Sequence, residues 1–173
     1  MTIELRPVTD DNFIEWRTTV RHGFGEHVHP DDIVRLRNER AELDRLVAAV
    51  DTKSNRIIGT GGADSYWLTV PGGSMVPMAG VAYMTTSVTH RRQGAFSKMM
   101  TYIHDAALER GDIISGLWAS QSNLYGRFDY GLSINSYDWE IDPRFGAFSH
   151  FPTADSNNAN TEITFIDADE ARV

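Results

Sequence analysis

Cysteine is absent from this chain of 173 residues. Its absence removes a disulfide framework, a zinc-thiolate site and a cysteine nucleophile, and leaves the redox compartment undefined. Positive charge is also scarce: 16 Lys and Arg stand against 24 Asp and Glu, a formal net charge of -8. A surface of that sign repels phosphate backbones and anionic lipid, so neither nucleic acid nor a membrane is an expected partner, whereas cationic or amine-bearing molecules are. Nowhere do the roughly 18 apolar residues of a membrane span follow one another, and the N-terminal MTIELRPVTDDNF lacks the apolar core of a signal peptide. A cytoplasmic location is the expectation. Hydrophobic residues at 41% and charged residues at 23% match folded domains and argue against wholesale disorder.

What is present is an alternation of strand-like and helix-like runs. Thr2 to Pro7 alternates polar and apolar side chains and reads as a strand. Asp10 or Asp11 is placed to cap a helix from Asn12 to about Gly23, with Phe13, Ile14, Trp16 and Val20 at helical spacing. A second helix is expected after Pro30, with Asp31 and Asp32 in its first turn. Leu46 to Val50, Arg56 to Val70 and Val76 to Thr86 are extended runs divided by residues 51–55 and by Pro71-Gly72-Gly73, so they should pair antiparallel. A longer helix carries Phe96, Met99, Met100, Ile103, Ala107 and Leu108 on one face and is closed by Gly111. Asp112 to Trp118 reads as a buried strand, Ser120 to Arg127 as a turn or short helix, and Leu132 to Ile141 as a further alternating strand. Gly146 to Asn160 reads as a linker, and Thr161 to Ile166 as the start of another strand. His22, His27 and His29 with Asp31 and Asp32 fit no compact ligand spacing, so no metal is expected. His104 and His150 read as exposed.

One junction carries chemistry. The strand ending near Thr86 runs through Thr89-His90-Arg91-Arg92-Gln93-Gly94 straight into the long helix. That order collects backbone N–H groups and a helix N-terminus in one small volume, which suits a pyrophosphate. Arg91 and Arg92 can add charge-assisted hydrogen bonds, and Gly94, without a Cβ, lets a ligand come close to the backbone.

Arg91-x-x-Gly94 resembles the acetyl-CoA signature of the GCN5-related N-acetyltransferases (GNAT), Q/R-x-x-G-x-G/A, with Phe96 in place of its last small residue and Val88 where proline is frequent. Three longer segments extend the resemblance: LTVPGG at 68–73, AGVAYMTTSVTHRRQGAF at 79–96 and ASQSNLYGRFDYG at 119–131. In order and spacing they are similar to the N-terminal domain of Eis-like (enhanced intracellular survival) aminoglycoside N-acetyltransferases, from about Leu46 to Phe148.

The resemblance implies an α/β (α+β) GNAT fold: a mixed, mainly antiparallel twisted sheet of about six or seven strands with helices on both faces. The strand ending near Ser87 and the one at Asp112 to Trp118 would splay to admit acetyl-CoA, the implied co-substrate. Residues 1–148 would form the acetyltransferase domain, and 149–173 a linker and the start of an incomplete second unit. Met84, Thr85 and Thr86 would offer backbone groups to the pantetheine arm. Arg91, Arg92, Gln93, Gly94, Ala95, Phe96 and Ser97 would hold the pyrophosphate, and Ser120 and Gln121 would flank the arm. Tyr125 falls on the family's general-acid tyrosine, and Tyr83 on an aromatic position of its amine pocket. The implied acceptor is a small-molecule primary amine, aminoglycoside-, polyamine- or lysine-like, attacking directly. A homo-oligomer is compatible with the sequence, which fixes no oligomeric state.

A phenol of pKa about 10 can protonate a departing thiolate of pKa about 8.5 at a mismatch of roughly 2 kcal/mol. The acceptor is the harder side, because an alkylammonium of pKa about 10.4 is neutral in roughly one molecule per thousand at pH 7. In the resembled family the base is the C-terminal carboxylate of a much longer chain. This sequence stops at Val173, so the alternative expectation is an acetyl-CoA-binding fragment with little activity.

Overall fold

The computed structural model describes residues 2–29, 32, 35, 42–135, 138, 140–142 and 144. Among them are five strands, β1 (Ile3–Pro7), β2 (Leu46–Asp51), β3 (Arg56–Thr69), β4 (Met75–Thr86) and β5 (Ile114–Leu117). Two complete helices, α1 (Phe13–Gly23) and α2 (Ala95–Arg110), accompany them. The strands form one sheet in the order β1-β2-β3-β4-β5. The first three pairings are antiparallel and β4–β5 is parallel, with α2 as the crossover that a parallel pair requires. This is the mixed, mainly antiparallel sheet expected, with five strands among the described residues rather than about six or seven.

β2 explains why the sheet is a central layer. Its LVAAVD is buried at every position because both faces are covered, the condition under which a strand is apolar without alternation. Val47 and Ala49 join Ile58, Val81, Met99, Met100 and Ile103 under α2. Leu46, Ala48 and Val50 join Phe13, Trp16 and Val20 under α1. The Trp16 indole N–H, costly to leave dry, donates to Val47 O at 2.9 Å. At the entrance to β2, Arg45 and Asp112 form a buried ion pair at 2.6 Å with side chains 5% and 8% exposed. That pair fastens the start of β2 to the segment between α2 and β5.

Local details depart from the sequence reading in two places. The N-cap of α1 is Asn12 rather than Asp10 or Asp11. Its side chain accepts the Thr9 N–H at 2.8 Å and donates to Pro7 O at 3.2 Å, so it braces the exit from β1 instead of the helix. Leu108 is 72% exposed: the buried stripe of α2 follows Met99, Ile103 and Ala107 at four-residue spacing, and Leu108 lies about 100° beyond it. The helix does close as expected, because Gly111 is left-handed at φ 83. Its N–H and that of Asp112 return to Leu108 O and Ala107 O.

The chain divides into two compact units, residues 1–131 and 132–173. In the second, the strand expected over Leu132 to Ile141 does not form among the described residues. Leu132 and Ile134 are exposed; alternation supplies an apolar face but no hydrogen-bonding partner, and a strand needs both. Asp142 accepts from Arg144 Nε and Nη2 at 3.1 and 2.6 Å in this unit. The linker at 146–160 and the strand from Thr161 lie outside the described residues, as does most of the helix after Pro30, of which Asp32 and Arg35 are helical. No helix among the described residues is long and apolar enough to cross a membrane.

Candidate active site

β4 and β5 pair only from Met78↔Ile114 to Val81↔Leu117. β4 then continues to Thr86, still paired with β3 at Thr85 and Thr86, while the chain after Leu117 leaves the sheet at Trp118. The outer edge of β4 from Ala82 to Thr86 thus has no strand partner among the described residues, and its backbone groups are available to an extended ligand. Thr86 Oγ1 on this stretch is buried with no hydrogen-bond partner among the described residues, a state that calls for an unseen partner. This is the expected splay, and it brings Met84, Thr85 and Thr86 to its edge.

A bulge aims the side chains here. Thr60 pairs with Thr85 and Gly62 with Ala82, so Gly61 alone faces Tyr83 and Met84. Tyr83 takes the left-handed region at φ 63, a strain of about 1–3 kcal/mol for a non-glycine residue. Without the bulge Val81 and Tyr83 would share a face; with it Val81 lies under α2 and Tyr83 packs under α1. Tyr83 meets Trp16 edge-on with ring centroids 5.4 Å apart, and Thr60 Oγ1 donates to its carbonyl at 2.7 Å. Met84 points the other way, and a Cβ at Gly61 would come within 2.7 Å of its sulfur.

The turn into α2 has the form a phosphate requires. Arg92 at φ 61 and Gly94 at φ 87 are both left-handed. Gly94 is the N-cap, and no side chain caps the helix, so the first N–H groups, those of Ala95, Phe96 and Ser97, are free to point at an anion. A Cβ at Gly94 would meet nothing within 4 Å; the positive φ, not crowding, is what asks for glycine. Arg91, Arg92 and Gln93 are exposed, and the Gln93 amide donates to Thr89 O at 3.4 Å. Ala95 is buried in the core, leaving only its backbone to serve a ligand. Ser120 and Gln121 are exposed just past β5.

Phe96 joins this turn to Tyr125. Its ring lies 5.8 Å from Tyr125 and 5.9 Å from Phe128, which accounts for a large residue where the signature has a small one. Tyr125 sits between two single 3-10 turns, Ser122–Leu124 and Gly126–Phe128, and is 8% exposed in the α2-side core. Its hydroxyl makes no hydrogen bond among the described residues, and burial pushes its pKa above the usual phenol value. Such a group stays protonated at neutral pH and is able to donate. Behind it stands Tyr130, edge-on at 6.0 Å, whose hydroxyl bonds His104 Nε2 at 2.9 Å and also Ser115 Oγ. His104 is therefore half-buried and engaged rather than exposed; its i, i+4 relation to Met100 on α2 was the one available hint.

On the α1 side the sequence reading missed Asp64. Tyr83 Oη donates to both its carboxylate oxygens at 3.0 Å. Burial and the Asp64 charge push the Tyr83 pKa up to about 12. Asp64 falls in the middle of an extended run, and only the bulge brings Tyr83 to it.

A transferase domain that docks an activated acyl group along an opened strand edge would be built in this way. Residues 4–133 match the family model of the acetyltransferase (GNAT) domain, and the chain belongs to that family. It is 32% identical over 142 residues to an uncharacterized N-acetyltransferase of Streptomyces avermitilis, covering 82% of this chain and 34% of the relative. It is 27% identical over 150 residues to N-acetyltransferase Eis of Mycobacterium tuberculosis, covering 86% of this chain and 37% of Eis. The crystal structure of Eis1 from Mycobacterium abscessus superposes at a TM-score of 0.63 with 28% identity, over 75% of this chain and 31% of that one. A predicted acetyltransferase from Clostridium acetobutylicum solved with acetyl-CoA shares the fold at a TM-score of 0.65 and 17% identity, over 80% of this chain and 96% of that one. The chain spans about a third of the length of the curated relatives it matches.

Proposed function

We propose that the chain transfers an acetyl group from acetyl-CoA to a small-molecule primary amine by direct attack. The observation that carries this reading is the β4 edge from Ala82 to Thr86, freed from β5, together with the uncapped start of α2 at Gly94. Acetyl-CoA would supply the acyl group as a thioester. The residues present fit it: the unpaired edge and the orphaned Thr86 hydroxyl suit the amides of an extended arm, with Ser120 and Gln121 beside it. Arg91, Arg92 and the N–H groups of Gly94 to Ser97 suit a pyrophosphate.

Tyr125 is the acid. As the neutral amine forms the new C–N bond and the C–S bond breaks, the Tyr125 hydroxyl gives its proton to the sulfur. The nitrogen gives up one proton to solvent and solvent restores Tyr125, so an ammonium acceptor releases one proton per turnover. Tyr83 lines the acceptor side. A second reading is acetyl-CoA binding with little turnover.

Thiol release from acetyl-CoA, followed with a thiol-reactive dye in the presence of a polyamine or an aminoglycoside, tests the proposal. Amine-dependent release is expected, rising with pH as free amine forms. CoA binding without release supports the second reading, and absence of CoA binding overturns both.

A further inference from the structure

We infer that Asp64, steadied by Tyr83 at the β4 bulge, is the carboxylate that holds an ammonium group of the acceptor. The inference rests on the acetyl-transfer reading above and names the side chain that selects the acceptor.

Tyr83 Oη has one proton, and it is shared between the two Asp64 oxygens at 3.0 Å. A carboxylate offers about four acceptor sites, so most of the capacity of Asp64 is unused. No ion pair reaches it among the described residues. With its proton committed to Asp64, the Tyr83 oxygen also presents only lone pairs. The dyad is thus an acceptor-only surface, the complement of an ammonium, which has three donors and no acceptor. Both residues are half-buried, partly shielded from solvent.

The surrounding charges leave this surface negative. Arg45 directs Nε to Ala63 O and Nη2 to Asp112. Glu42 accepts the N–H and hydroxyl of Ser65 next in sequence, adding negative charge. Arg17 brings a positive charge close by, its guanidinium lying over the Tyr83 ring at 5.7 Å from the centre.

Asp64 is an anchor and not a base. An ammonium held by Asp64 has three N–H donors and no lone pair, so it cannot attack a thioester. The nitrogen it holds is then not the one that attacks, and acceptors with two or more amino groups are favoured over monoamines.

Calorimetric titration of 1,4-diaminobutane into the CoA-saturated chain at pH 7 reads this contact without requiring turnover. Asp64→Asn, nearly isosteric, should raise the diamine dissociation constant about tenfold, and Tyr83→Phe several-fold, with equal CoA affinity in all three proteins. 1,4-Butanediol, uncharged, should show no difference between wild type and Asp64→Asn. Equal diamine affinity in wild type and Asp64→Asn, or no diamine binding by the CoA-loaded wild type, would overturn the anchor while CoA binding stands. Loss of CoA binding in Asp64→Asn would mark a structural role and overturn it as well. Failure of the wild type itself to bind CoA would instead overturn the acetyl-transfer reading, and this inference with it.

Discussion

The two faces of the sheet present their chemistry in different ways. On the α2 face the groups aimed outward are largely backbone: the free edge of β4 and the first N–H groups of α2, backed by an aromatic wall of Phe96, Tyr125 and Tyr130. On the α1 face they are side chains, Tyr83 and Asp64, set against Trp16. A backbone site is specified by where glycines and helix starts fall. A side-chain pair across strands is specified by register, and here by a single extra residue in β4. The first kind of site is written in short motifs and the second is not.

The largest effect should come from the α1 face. Trp16→Ala empties a fully buried site and leaves Val47 O without its donor. It should cost about 3–5 kcal/mol in urea denaturation, and Tyr83 should lose its edge contact. Phe96→Ala, at a half-buried position, should cost clearly less stability while loosening Tyr125. Equal losses would erase the contrast between a packed α1 face and a more open α2 face.

Next in size is Arg92→Ala, which removes an exposed guanidinium and should weaken CoA binding by about 1.5–3 kcal/mol with little change in stability. Gly94→Val should impair CoA binding through the positive φ at that position. Unchanged affinity by calorimetry in both variants would move the pyrophosphate elsewhere.

This contrast also explains what could be read from the sequence. The junction from Arg91 to Gly94 was legible because a left-handed glycine before a long amphipathic helix is a local signal. So were β2, β3 and β4, whose turns carry their own chemistry at residues 51–55 and 71–73. Tyr83 was placed at the site by resemblance alone, since neither the bulge nor Asp64 leaves a mark in a single extended run. His104 was misread because its partner Tyr130 is 26 residues away and the chain between them is irregular. The alternation at 132–141 was real, but pattern does not supply a neighbouring strand.

A smaller, kinetic effect separates acid from cofactor binding. Tyr125→Phe should lower thiol release at every pH while CoA affinity changes by no more than about a few-fold, because the hydroxyl serves the transition state. Burial raises the Tyr125 pKa, so the wild-type rate should rise as free amine forms and lose its acid only at a higher pH than an ordinary phenol would. The smallest effect is spectroscopic. Tyr83, near 12 in the folded chain, should ionise late in an ultraviolet pH titration, and Tyr83→Phe should remove that late phase. Because this pKa is raised on folding, its contribution to stability is complete below about pH 10 and is lost as pH climbs through 12.

Amide and indole chemical shifts, recorded first with CoA and then with 1,4-diaminobutane added, test the division between the faces most directly. CoA should move the amides of Ala82 to Thr86 and of Gly94 to Ser97, and the diamine should then move those of Asp64 and Tyr83 and the Trp16 indole. Shifts from CoA confined to the α1 face, or a diamine response centred on Gly94 to Ser97, would contradict it.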